Sequence, residues 1–207
     1  MLTVIRPDLW VPEEVKQFNP RSELGKYIKT ILHFLPAEQA IELLDRISSC
    51  LVIESSLYGK VFWKNGKVED LGLLGTKSIT DAGVGFFVDA WQNSVEMEIM
   101  KYHGLGTGTT AEATSGAGST LVTELTTEYT GDVRATGTTT EASALVFQSV
   151  ATNTLDGTPG AALREHAIVS TASGAHVTWD RTLFAAITLS SGDGLQTTYN
   201  MTGSAGG

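Results

Sequence analysis

Apolar residues fall at helical spacing in the first quarter of the chain and at strand spacing from residue 94 onward. Leu24, Tyr27, Ile28, Ile31, Leu32 and Leu35 trace one stripe at three- and four-residue intervals, with Ser22 in place to cap the helix they predict. Pro36 ends that helix and suits the first position of the next. Ala40, Leu43, Leu44, Ile47 and Leu51 form the second apolar face, with Glu42 and Arg46 paired one turn apart outside it. Together they predict a helical hairpin with a sharp corner. Ahead of it, Pro7, Pro12 and Pro20 break up residues 1–20 and predict an extended arm, with at most one helical turn at Glu13–Gln17.

Val61–Val68 predicts a β-hairpin around Asn65-Gly66. Asp81–Gln92 predicts a helix capped by Thr80, with Val84, Phe87, Val88 and Trp91 on one face. Gly83 and Gly85 cost it about 1 kcal/mol each relative to Ala, so it needs packing to persist. From Ser94 the text reads as strands: Val95–Tyr102, Val133–Thr140, Ala144–Leu155, Ala162–Thr171, His176–Leu189 and Leu195–Gly203. Leu183, Ala185, Ile187 and Leu189 alternate with Thr182, Phe184, Ala186 and Thr188. Beyond the turn Ser191–Gly194, the residues Leu195, Thr197, Tyr199 and Met201 continue the alternation as a partner strand.

The expected fold is α+β and mainly β. Residues 1–54 form the arm and helical hairpin. Residues 55–207 form a β-rich domain: hairpin 61–68, short helix 81–92, and an antiparallel β-sandwich over 94–207, jelly-roll or immunoglobulin-like. Composition shifts at the same place. Residues 1–100 hold four Thr and seven Lys, whereas 101–207 hold 23 Thr and one Lys, so Thr-rich outer faces replace charge as the source of solubility.

A net charge of −9 excludes a broadly basic nucleic-acid clamp. The single Cys50 excludes an internal disulfide framework and a Cys-based zinc site. No apolar run reaches the roughly 18 residues of a membrane span, and MLTVIRPDLWVPEE has neither the basic start nor the long apolar stretch of a signal peptide. No nucleic acid or membrane partner is expected.

Gly104-Leu105-Gly106-Thr107-Gly108 imitates a dinucleotide fingerprint, but Thr109 stands at the sixth position and no helical pattern follows, so it reads as a structural loop. His33 falls at the edge of the first helical stripe. His166 and His176 sit on separate predicted strands, near Glu165 and Asp180, and are placed to meet across a sheet; without H-x-x-x-H or H-x-H spacing they make a weak metal or acid–base set. No G-x-S-x-G elbow occurs, and Cys50 reads as a small hydrophobe of the second helix. Trp63, Trp91 and Trp179 read as core. No catalytic residue, metal ligand or cofactor is assigned.

Several separated segments resemble, in order, small virion proteins of tailed bacteriophages. They are LGLLGTKSITDAGVGFFVDAWQNSVEMEIMKYHGLGTGTTAEA at 71–113, the following STLVTELTTEY, and RTLFAAITLSSGDGLQTTYNMTGSAGG at 181–207, with RATGTTTEAS and REHAIVSTASG between. The resemblance covers about residues 70–207 and is to capsid decoration or cement proteins. It implies a non-enzymatic structural protein, made in the host cytoplasm and carried on the capsid surface of the virion. The implied partner is the major capsid protein. The other reading is a tail or tail-fibre adaptor with a host-surface-binding β domain. A homo-oligomer, dimer or trimer, suits the symmetry positions of a capsid. The arm lies outside the resemblance. Its Val4, Ile5, Leu9, Trp10, Val11 and Phe18 are too apolar for solvent and too broken by proline for a core of their own, so they are the expected docking residues.

Overall fold

The computed structural model describes residues 51–77, 79–156 and 161–205. The expected arm with its docking residues, the helical hairpin as far as residue 50, His33 and Cys50 lie outside the described residues; Leu51, expected on the second helix, and the rest of 51–54 instead begin a strand that pairs in a sheet. Ile53–Gly203 form one compact unit. The described fold is α+β and mainly β, with two antiparallel sheets and one α-helix.

Strands β1 (Leu51–Phe62), β2 (Val68–Lys77), β5 (Thr138–Ser143), β6 (Val146–Thr154) and β9 (Gly194–Ala205) form a five-stranded sheet in the order β2-β1-β9-β6-β5. Strands β3 (Tyr102–Gly106), β4 (Ala135–Thr136), β7 (Ala161–Val169) and β8 (Thr178–Leu189) form the other, in the order β4-β3-β7-β8. Helix α1 spans Asp81–Trp91. At the β1–β2 turn Gly66 adopts φ +86°, open to glycine without strain, and Lys67 N–H bonds the Asn65 side chain at 2.9 Å. The hairpin is longer than the expected 61–68, because Ser55–Leu57 already pair with Lys77–Gly75.

Side chains from both sheets share the interior. Val61, Leu105, Leu163, Leu189 and Leu195 form one apolar cluster with Leu125, Tyr129 and Leu155. Leu57, Ile168, Trp179 and Tyr199 form a second with Phe86 of α1 and Met100. Fully burying a side chain of this size contributes about 1.5–3 kcal/mol.

The expected strand Val133–Thr140 is two: Ala135–Thr136 is β4 of one sheet and Thr138–Ser143 is β5 of the other, the chain crossing at Gly137, where a Cβ would meet Ser149 Oγ. Three further expectations are corrected. Val95–Tyr102 is not a strand: Met97–Ile99 make a single 3-10 turn, and the strand begins at Tyr102, taking in Gly104–Gly106 of the supposed loop. Strands β8 and β9 are not partners either. β8 pairs with β7 and β9 with β6, so Ser191–Gly194 carries the chain from one sheet to the other. That crossing is held by the Asp193 carboxylate, which accepts from Lys64 N–H at 2.9 Å and Ser190 N–H at 2.8 Å, and by the Leu155 N–H bonded to the Asp193 carbonyl at 3.0 Å. Alternation within each strand is the same whether the next strand lies beside it or opposite it, so the pattern does not distinguish the two.

The third correction is the helix. Thr80 caps it, accepting from Gly83 N–H at 2.9 Å while its own hydroxyl donates to the Thr178 carbonyl. Gly83 then sits directly on β8, where a Cβ would lie 2.7 Å from the Trp179 carbonyl oxygen. This approach turns Gly83 and Phe86 inward. Val84, Val88 and Trp91 are left outside, with Trp91 77% exposed. Phe87 remains partly buried, and Trp91 packs edge-on against it at 5.4 Å. The apolar stripe expected to be core is the outer face.

Candidate functional site

A set of titratable and hydroxyl side chains is buried inside the described unit, beginning beside the Gly-rich segment. Gly106 and Gly108 face the Glu165 carboxylate so closely that a Cβ on either would lie 2.4 or 2.5 Å from its Oε1. Glu165, fully buried on β7, accepts from the N–H groups of Gly108 (3.0 Å), Val122 (3.1 Å) and Thr123 (2.9 Å). Arg181 of β8 completes the cradle with Nε at 2.8 Å and Nη2 at 2.7 Å. Its Nη1 donates to the carbonyls of Thr110 (3.0 Å) and Gly118 (3.1 Å). Burial pushes the Glu165 pKa up, but the Thr123 and Val122 N–H groups and Arg181 outweigh it and hold the carboxyl below its ordinary value. Glycines clustered around an anion are what the motif resembled, but here the anion is the chain's own glutamate. The arrangement fastens the 107–123 loop to the sheet.

A similar clamp holds the next loop. Arg134 pairs with Glu124 and donates to the carbonyls of Thr171 (2.8 Å) and Gly174 (3.0 Å). His176 is here, its Nδ1 2.9 Å from Arg134 Nη2. The expected meeting of His166 with His176 is therefore corrected. Strand β8 starts only at Thr178, which leaves His176 in the loop at the sheet end.

His166 instead meets His103. The His166 Nε2 lies 3.0 Å from His103 Nδ1, which is also 2.7 Å from Thr197 Oγ1, and His103 Nε2 is 2.9 Å from Ser149 Oγ. These bonds join β3, β7, β9 and β6 across the interior. Desolvation lowers the His103 pKa to about 3, and desolvation together with its neighbour lowers that of His166 well below 6.5, so both rings are neutral at pH 7. A Ser–His contact resembles half of a nucleophilic pair. Ser149 and His103 are each 0% exposed, however, so no substrate in solvent reaches that hydroxyl in this conformation.

Farther along the same interior, Asp180 of β8 contacts Ser55 of β1 and lies 3.2 Å from the Thr182 hydroxyl. Burial raises its pKa to about 6. The Ser55 Oγ is 2.8 Å from the Lys77 carbonyl, which can only accept. The Ser55 hydroxyl also donates to the Asp180 carboxyl, so its one proton is shared between two acceptors. The Tyr199 hydroxyl and Trp179 indole N–H are buried without a hydrogen bond of good geometry, although Ser55 and Asp180 lie near that hydroxyl.

Ser55, Asp180, Thr182, His166, His103, Thr197 and Ser149 thus form a buried polar belt, and sequence reading did not anticipate it. The available signal was polar residues at the inward positions of otherwise apolar strands, as at Ser55, Thr197 and His103. Among the described residues no three His, Cys, Asp or Glu side chains converge into a metal-binding group, and no helix is long and apolar enough to cross a membrane. No protein family model, curated protein or solved structure matches the chain.

Proposed function

We propose that this protein is a structural component of a tailed-phage virion, a decoration or cement protein that binds the outer face of the major capsid protein and stabilises the shell. The observation that carries the reading is the outward face of α1. Val84, Val88 and Trp91 follow one another at i, i+4 and i+7 and are 46%, 49% and 77% exposed. An apolar stripe on a helix clamped at Gly83 and Thr80 is a rigid docking feature. It falls within residues 71–113, one of the segments that carry the resemblance to such virion proteins. The buried charges described above hold loops in place, which suits a protein that works by its surface. The two layers close as a jelly-roll or immunoglobulin-like sandwich, and Val4, Ile5, Leu9, Trp10, Val11 and Phe18 of the arm extend the contact to the capsid or to a second copy of the chain in a dimer or trimer.

Binding of the purified chain to undecorated capsids tests the reading. Trp91→Ser with Val88→Ser should weaken binding at least roughly tenfold, because losing two apolar anchors removes several kcal/mol of burial. Antibody label spread over the phage head supports decoration. Label at a single vertex would move the protein to the tail, and absence of label from virions would overturn the proposal.

A further inference from the structure

Besides α1, the β1–β2 hairpin exposes apolar side chains, on the face of its sheet turned away from the core. Leu57 and Val61 of β1 point inward and are buried, so the alternate residues Tyr58, Lys60 and Phe62 point outward. Irregularities in the pairing at Leu57/Tyr58 and Gly59/Lys60 skip Leu74 and Leu71 of β2, which pack against the core, and bring Leu73, Asp70 and Val68 outward. Tyr58 is the direct cross-strand partner of Leu73, Lys60 of Asp70, and Phe62 of Val68. Tyr58 and Leu73 are 39% and 54% exposed, Phe62 and Val68 37% and 51%. Between these two apolar pairs lies the ion pair of Lys60 with Asp70, at 3.6 Å. On the next strand, β9, the buried Thr197 and Tyr199 put Thr198 and Asn200 outward, so the apolar patch stops at β1.

The patch is self-complementary. Two copies laid face to face are related by a two-fold axis lying in the contact, here through the Lys60–Asp70 pair. An axis across the strands sets Lys60 against Lys60 and Asp70 against Asp70, and like charges so placed repel. An axis along the strands sets Lys60 of each copy against Asp70 of the other, with Tyr58 over Leu73 and Phe62 over Val68. Four alternating charges then sit between apolar contacts on both sides. We infer that this face is the contact of a homodimer whose two-fold axis runs along β1 and β2. The four apolar side chains expose on the order of 300 Å² per copy, less than the roughly 800 Å² per partner of a standard interface. The dimer is therefore weak, with a Kd on the order of 10–100 µM. The contact needs only the described unit and stands apart from the proposed virion role.

Sedimentation of the full chain between about 5 µM and 1 mM should show a monomer–dimer equilibrium within that range. Leu73→Lys should weaken it at least roughly tenfold while the tryptophan fluorescence of the folded chain stays unchanged, because the position is on the surface. Lys60→Asp and Asp70→Lys should each weaken it by about as much, since every copy then carries two like charges at the centre of the contact. An equimolar mixture of those two variants should associate again, to within about threefold of the parent, because unlike charges then face each other across the axis. Both variants remain net acidic, so attraction between their overall charges does not explain the recovery. A parent chain that stays monomeric at about 1 mM would overturn the inference. So would a dimer that all three variants leave intact, which would place the contact elsewhere, or a mixture that stays monomeric. A monomeric parent whose Leu73→Lys variant no longer binds capsids would give the patch to the capsid protein instead.

Discussion

Replacing Asp180 by Asn should change the slope of stability against pH as well as its level. The carboxyl is buried against Ser55 and Thr182, and its pKa stands at about 6 against 3.8 in an exposed chain. A raised acid pKa means that the folded state binds the proton more tightly. Its contribution is therefore complete below pH 3.8 and is lost as pH rises through 6. At about 1.4 kcal/mol for each tenfold change in proton affinity, the full difference is about 3 kcal/mol. Roughly 2 kcal/mol of it develops between pH 8 and pH 4. His103 has the opposite sign. Its pKa falls from 6.5 to about 3, so its contribution is complete above 6.5 and is lost as pH falls toward 3. In the parent chain the two effects oppose each other between pH 4 and 6. In Asp180→Asn only the histidine effect remains, and stability should fall more steeply with acid. Urea unfolding at a series of pH values, followed by tryptophan fluorescence, measures both profiles. Any loss of the Ser55 contact is a constant offset, so the variant-minus-parent difference isolates the carboxyl. A difference that varies by less than about 1 kcal/mol between pH 8 and pH 4 would refute the buried, proton-retaining Asp180.

Three further outcomes follow from the same contacts. The rings of His103 and His166 should stay neutral from pH 8 to pH 5 in nitrogen-detected NMR of the folded protein, and a titration near 6.5 at either ring would contradict their burial. Glu165→Gln should cost about 3–5 kcal/mol in urea unfolding, because it leaves the Arg181 charge buried without its partner; a loss under 1 kcal/mol would mean that water reaches the pair. Gly106→Ala and Gly85→Ala should act in opposite directions on the melting temperature. At Gly106 a Cβ meets the Glu165 carboxylate and, at 2.5 Å, the Thr123 carbonyl, whereas at Gly85 nothing lies within 4 Å and the helix gains about 1 kcal/mol.

What was legible in the sequence was local. The Asn65-Gly66 turn, the Thr80 cap and the approximate strand positions each rest on a few neighbouring residues, and the chemistry of those residues decides them. Which face of α1 is buried was decided instead by Gly83, whose missing side chain permits an approach to Trp179 that Val84, Val88 and Trp91 do not. The same holds for Glu165 and its glycines. The motif was visible at 104–108, but its anion came from 57 residues away. The polar belt was invisible for a related reason. Its members come from β1, β3, β6, β7, β8 and β9, and strand alternation shows only that each points inward, not which one it meets.

The belt also explains how a chain with few charges specifies one arrangement of its two sheets. Two apolar clusters lie in the interior, one around Leu105 and Leu195, the other around Trp179 and Tyr199. Leu, Ile and Val tolerate small displacements against one another, since dispersion and burial are nearly non-directional. Hydrogen bonds do not. His103 reaches Ser149 and Thr197 in the opposite sheet within 2.7–2.9 Å, and Asn153 of that sheet donates to the His103 carbonyl at 3.0 Å. Gly137 stands where a Cβ would lie 3.0 Å from His103 Nε2 and closer still to Ser149 Oγ, so the ring fits only in this position. Sliding one sheet by a residue pair would take the His103 imidazole and the Ser149 and Thr197 hydroxyls from these partners, at about 1–3 kcal/mol each. That penalty is comparable to the whole stability of a domain this size, about 5–15 kcal/mol. The apolar clusters therefore drive the sheets together, and neutral His103, with its partners Ser149, Thr197 and Asn153 in the opposite sheet, fixes where they stop.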